Sequence, residues 1–183
     1  MMTLVSAVGL AMALSTFPLV RWITERRASR AAEIVVSVLD RAGRMARCEG
    51  NEFVVFFDAD GRTMWILDDD GGGTYEGPRD PAAGRGNGRQ DPGERVLGPY
   101  MLPPGQLLAS SAAPDPRTGA TASVPLTFPG DPPKVVFYPD GTASENGTIC
   151  VVSEYSRGRR GGSAGRIMTL QSSTGSVSLL DDD

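Results

Sequence analysis

The stretch Met1–Arg47, MMTLVSAVGLAMALSTFPLVRWITERRASRAAEIVVSVLDRAGRMAR, decides the fold. Its first twenty residues carry no charge, and a helix of that length is what crossing a hydrocarbon core requires. A secretory signal would open on basic residues and keep its apolar run to ~7–15 residues. This run has no basic start and is longer, so it reads as a retained anchor. Pro18 would break a soluble helix, but a membrane helix tolerates proline where neighbours satisfy the freed carbonyl, and a kink is expected there.

Beyond Val20 the composition changes while the period persists. Ala31, Ala32, Val35, Val38, Leu39, Ala42, Met45 and Ala46 recur at three- and four-residue spacing, the mark of an amphipathic helix. Arg26, Arg27, Arg30, Glu33, Asp40, Arg41, Arg44 and Arg47 fill the other positions. Residues 1–20 are thus expected to span and 21–48 to bury one stripe against a domain outside the bilayer. As one continuous spine the element would be roughly 65–70 Å long.

Without this anchor the chain holds enough residues for one domain with a modest core. The net charge is −4, which gives the whole chain no electrostatic reason to seek nucleic acid. The distribution is uneven: Arg21 to Arg47 carries seven arginines against three acids. With no histidine and a single lysine, Lys134, imidazole catalysis and histidine metal sites are excluded. Cys48 and Cys150 are too few for a disulfide framework or a four-cysteine zinc site. In an exported domain they could form one bridge, worth up to about 4.7 kcal/mol for a loop near 100 residues. Two unbridged buried thiols are the other reading.

Residues 49–183 read as β structure. Phe53–Phe57 and Met64–Leu67 flank a turn, Asp58-Ala59-Asp60-Gly61, and form a hairpin. The later oxygen ligands of a hand-type calcium loop are absent after Gly61. Residues 68–95, rich in glycine and proline, keep no apolar period and read as a mobile insertion. Its Gly84-Arg85-Gly86-Asn87-Gly88 lacks the preceding strand and following helix of a nucleotide cradle. Further strands are expected at Val96–Leu102, Gln106–Ala109, Lys134–Tyr138, Thr148–Val152, Arg166–Leu170 and Val177–Leu180, with a turn at Ser173–Gly175. The fold class is α+β, a long N-terminal helix packed on a mostly antiparallel β domain.

The order of these pieces resembles the minor pseudopilin H family of bacterial type II secretion systems and the related type IV minor pilins. The order includes Leu102-Pro103-Pro104-Gly105, and the most telling segment is Phe137-Tyr138-Pro139-Asp140-Gly141-Thr142-Ala143-Ser144-Glu145-Asn146-Gly147-Thr148. The resemblance implies a pilin-like fold and a single-pass inner-membrane protein with a periplasmic β domain. It implies a subunit that joins a short fibre by packing its helix against those of other pseudopilins or minor pilins and meets neighbouring minor subunits or secreted cargo through its β face. Ala7, Gly9, Ala11, Ala13 and Pro18 would form the assembly face, since small residues let membrane helices approach closely.

One departure concerns the peptidase site, which in that family reads Gly-Phe-Thr-Leu, a hydrophobic residue and Glu after a basic leader. Here Met1 stands where Gly should be and Ser6 where the acid should be. The arginines after Val20 would hold the domain in the cytoplasm by the positive-inside rule, so a basic leader encoded upstream of Met1 is expected. Some pilin relatives take up DNA through C-terminal arginines. This chain ends Asp181-Asp182-Asp183, and DNA is not expected as a partner; Arg157, Arg159, Arg160 and Arg166 are the remaining basic cluster. An enzyme would need Lys134 paired with a serine, and no recognisable spacing supports it. The expected function is structural, with no cofactor, metal or catalytic residue.

Overall fold

The structure, a computed structural model, describes residues 2–58, 61–69, 90, 93–108, 126–153 and 166–180, with side chains given from 22 to 179. Helix α1 runs uninterrupted over Met2–Glu49, about 72 Å at the usual rise. Gly50, at φ 76°, ends it, and its N–H donates to the Ala46 carbonyl at 3.0 Å, the left-handed stop for which glycine is suited.

Eight strands follow: β1 (Glu52–Phe57), β2 (Thr63–Asp69), β3 (Val96–Met101), β4 (Gln106–Leu108), β5 (Lys134–Phe137), β6 (Gly147–Ser153), β7 (Arg166–Gln171) and β8 (Ser176–Leu180). They form two four-stranded sheets, β3-β2-β1-β5 and β4-β6-β7-β8, and each pairing is antiparallel. Helix α1 touches β1 and β5 of the first sheet and β4, β6, β7 and β8 of the second. One stripe of the helix therefore closes both sheets. Ala31, Ala32, Val35, Val38, Leu39, Ala42 and Ala46 are buried there, with Met45 half-buried.

Strand alternation supplies the other side of this core. Phe53, Val55 and Phe57 of β1, Met64 and Ile66 of β2, Ile149 and Val151 of β6, and Met168 and Leu170 of β7 all belong to it. The β1–β2 hairpin also joins the sheets. At its turn Gly61, with φ 68°, accepts the Leu108 N–H at 2.6 Å. A Cβ on Gly61 would lie 2.7 Å from the Leu108 carbonyl oxygen, so both the conformation and the contact require glycine.

The segment from Phe137 to Thr148 carries the chain from one sheet to the other. Asp140 accepts from the Thr142 N–H at 2.9 Å and from its hydroxyl at 2.6 Å, a local turn typical of Asp. Ser144 donates its N–H to the Val136 carbonyl, while the Asn146 side chain accepts from the Ser172 N–H at 2.8 Å in the β7–β8 turn. The polar residues of this motif hold the sheets together.

The expected start of the irregular insertion at Asp68 is corrected. Asp68 and Asp69 complete β2 and are buried, because Asp68 meets a guanidinium and an amide described below. Residues 70–89, the bulk of that expectation, lie outside the described residues.

Candidate functional site

Turning the apolar stripe of α1 into the sheets leaves the opposite face to solvent. Arg26, Arg27, Arg30, Arg41, Arg44 and Arg47 are exposed on it, against Glu33, Asp40 and Glu49. A groove of about 520 Å³ runs between this face and the edge strand β3, with Ile34, Val38 and Tyr100 as apolar wall and Arg30, Glu33 and Arg41 as charged rim. Further toward the N-terminus Trp22 and Ile23 are exposed. The Arg26 guanidinium stacks 4.3 Å from the Trp22 ring centroid.

A second concavity, about 590 Å³, lies on the face of the first sheet away from α1. Phe56 and Trp65 stand opposite each other in the β1–β2 register and line it together with Leu67, Val96, Asp131 and Lys134. The Lys134 ammonium is 6.0 Å from the Phe56 ring centroid. Gly98 and Pro99 of β3 stand against the single Trp65, a bulge of the kind that twists an edge strand away from further pairing. The outward aromatic pair was not singled out from sequence. A hairpin reading finds the strands but does not say which face turns to the helix.

The end of α1 is latched to the first sheet by Arg95. Its guanidinium bonds the Glu49 carboxylate, reaches Asp68 at 2.8 Å and lies 5.8 Å from the Phe53 ring centroid. Asn51 donates to the other Asp68 oxygen at 3.3 Å. The Arg95 pKa is raised, first by the hydrogen bond it donates to Glu49, then by the charge of Asp68 acting against burial. No sequence signal joins these residues, since Glu49 and Arg95 are 46 positions apart.

Ala7, Gly9, Ala11, Ala13 and Pro18 lie within α1, and their side chains lie outside the described residues. Among the described residues no helix is long and apolar enough to cross a membrane; the uncharged run falls on the part of α1 whose side chains are not described. Cys48 and Cys150 are free thiols in the structure, the first exposed and the second buried. Ile149 and Val151 face α1, so Cys150 between them points to the far face of its sheet, whereas Cys48 is exposed on the last turn of the helix. Arg166 donates to Ser29 Oγ at 3.4 Å and so ties β7 to α1. Arg157, Arg159 and Arg160 lie outside the described residues. Among the described residues no three Cys, Asp or Glu side chains converge to hold a metal.

The class defined by this fold is α+β, a long N-terminal helix whose second half closes two antiparallel sheets. No family model matches the chain, and no curated relative was found. Among solved structures it is similar to the minor pseudopilin EpsH from the type 2 secretion system of Vibrio cholerae, at 15% identity and a TM-score of 0.49, covering 84% of this chain and 96% of that one. It is similar also to the type IV minor pilin FimU of Pseudomonas aeruginosa, at 16% identity and 0.49, covering 87% and 92%. A second structure of EpsH gives 17% identity and 0.47, covering 87% and 99%. At these identities no residue role passes from those proteins to this chain.

Proposed function

We propose that the chain is a minor pseudopilin, a structural subunit of a type II secretion pseudopilus. The observation that carries the reading is α1 itself. It is a single 48-residue helix in which, among the described side chains, the buried ones begin at Ala28 and end at Ala46. A domain of about 130 residues has a radius of gyration near 14 Å, so a helix of about 72 Å is far longer than the domain needs. Its leading part carries the uncharged run Met1–Val20.

On this reading residues 1–20 anchor the subunit in the inner membrane and later pack in the fibre. Ala7, Gly9, Ala11 and Ala13 give neighbouring helices close approach. Residues 21–48 carry the domain, and residues 49–183 lie in the periplasm against other minor subunits or cargo. The role is mechanical, and no chemical step is assigned to it.

The test is deletion of the gene in its native strain, complemented either with the intact gene or with one in which Ala7, Gly9 and Ala11 are each replaced by leucine. Loss of secreted proteins from the medium, restored by the intact gene only, is expected. Unchanged secretion with lost surface pili would make it a pilus subunit instead. A deletion that alters neither would overturn the fibre reading.

A further inference from the structure

We infer that Trp22, Ile23, Arg26, Arg27 and Arg30 form an interfacial collar that binds the headgroups of anionic phospholipids in the leaflet facing the β domain. The inference rests on the anchored reading of α1 and adds to it a lipid-binding surface.

Three observations converge on it. The first is exposure where burial would be expected. Trp22 is 50% and Ile23 37% exposed, although from Ala28 onward the large apolar side chains of α1 turn into the core or rest partly against it. The β domain stops short of them: Ala28 is the first buried position among the described side chains, and the Arg166–Ser29 bond marks the edge of the domain.

The second is chemistry. Arg26 stacks 4.3 Å from the Trp22 ring centroid. A guanidinium stacked on an aromatic face keeps its in-plane N–H donors, the ones that bind phosphate in pairs, turned outward. Arg27 and Arg30 are exposed within the next turn. An indole beside several arginines matches an interface in which aromatic rings settle at headgroup level and basic side chains draw anionic lipid.

The third is length. Twenty uncharged residues rise about 30 Å, the thickness of a hydrocarbon core. Trp22 to Arg27 adds about 9 Å before the first buried position, comparable to one headgroup layer, for which roughly 5–8 Å remains on each side. Membrane core, collar and domain edge thus follow one another along a single helix without a gap.

The experiment uses the full 183-residue chain in vesicles of phosphatidylethanolamine and phosphatidylglycerol, and in vesicles of phosphatidylcholine alone. Trp65→Phe leaves Trp22 as the sole tryptophan, and Trp22→Phe supplies the converse spectrum should Trp65→Phe fold poorly. Lipids brominated near the headgroup or near the chain end act as quenchers. Expected is blue-shifted Trp22 emission, quenched about twofold more strongly by the shallow bromines than by the deep ones. Trp22 quenching should rise with phosphatidylglycerol content, and Arg26→Gln with Arg27→Gln should abolish that rise. Protein that stays with the vesicles through an alkaline wash while Trp22 emits as in water would overturn the collar and leave the anchor standing. Protein that washes off would overturn both.

Discussion

The ring of Phe137 lies against α1 at Gly43: a Cβ on that glycine would come 3.3 Å from the ring's Cδ1. Gly43 is buried in the helix at a position where glycine costs up to about 1 kcal/mol relative to alanine. What it gives in return is room for the largest side chain of β5. Gly43→Ala gains helix propensity and loses about as much to the close contact. Gly43→Val is expected to overpack the site and destabilise by about 1–3 kcal/mol, lowering Tm by about 2–4 °C per kcal/mol in a chain of this size. Thermal unfolding of the full chain in detergent checks it, and an unchanged Tm for Gly43→Val would remove the ring from the helix.

A tighter version of the same arrangement sits where β6 begins. A Cβ on Gly147 would lie 2.1 Å from Phe128 Cε1, and the Phe128 ring is stacked on Phe57 with centroids 5.8 Å apart. Gly147→Ala must push Phe128 off Phe57, at an expected cost of about 1–3 kcal/mol. Phe128→Ala removes the three atoms nearest to the added methyl group, so the cost should fall in that background. A double-mutant cycle read by urea unfolding should return a coupling of about 0.5–3 kcal/mol; additive effects would show that the two positions do not touch.

These two contacts show what sequence could and could not reveal. The buried stripe of α1 was legible residue by residue because a 3.6-residue period repeats within a few turns. The strands were legible from alternation and turn residues. That they divide into two sheets was not, because sheet membership is settled by distant pairings such as Phe53 with Phe137. Asp68-Asp69-Asp70 read as the start of the insertion because no apolar period survives beyond Leu67 and a glycine- and proline-rich stretch follows. The partner that lets Asp68 be buried, Arg95, lies beyond the glycine-rich stretch. Phe56 and Trp65 read as strand residues, and the groove they line became visible only once α1 had claimed the opposite face.

Arg95 supplies a prediction with a defined pH profile. Its pKa is raised, chiefly by the hydrogen bond to Glu49. A group whose folded pKa exceeds its unfolded one stabilises the fold at every pH below the unfolded value, and the contribution is lost only as pH rises through the folded value. For a guanidinium both values lie beyond the mildly alkaline range. The loss caused by Arg95→Gln should therefore be the same at pH ~7 and pH ~9 in urea unfolding. With side-chain exposures of 47% for Arg95 and 38% for Glu49, solvent screening limits that loss to about 0.5–1 kcal/mol, and about 1 M salt should reduce it further. A loss that disappears between the two pH values would mean that another group carries the latch.

The two cysteines give the simplest check of the core. Cys150 lies in β6, 1% exposed, on the side of the sheet away from α1, while Cys48 stands exposed on the last helical turn. An aromatic disulfide reagent added to the native chain without reductant should therefore titrate one thiol, with the second appearing only on unfolding. Cys48→Ser should abolish the native reaction, and Cys150→Ser should leave it intact. One reactive thiol in the native chain and two in the denatured chain would place Cys150 in the buried interior and Cys48 on the surface. Absence of any thiol in the unreduced, denatured chain would mean that the cysteines are bridged and would overturn this placement.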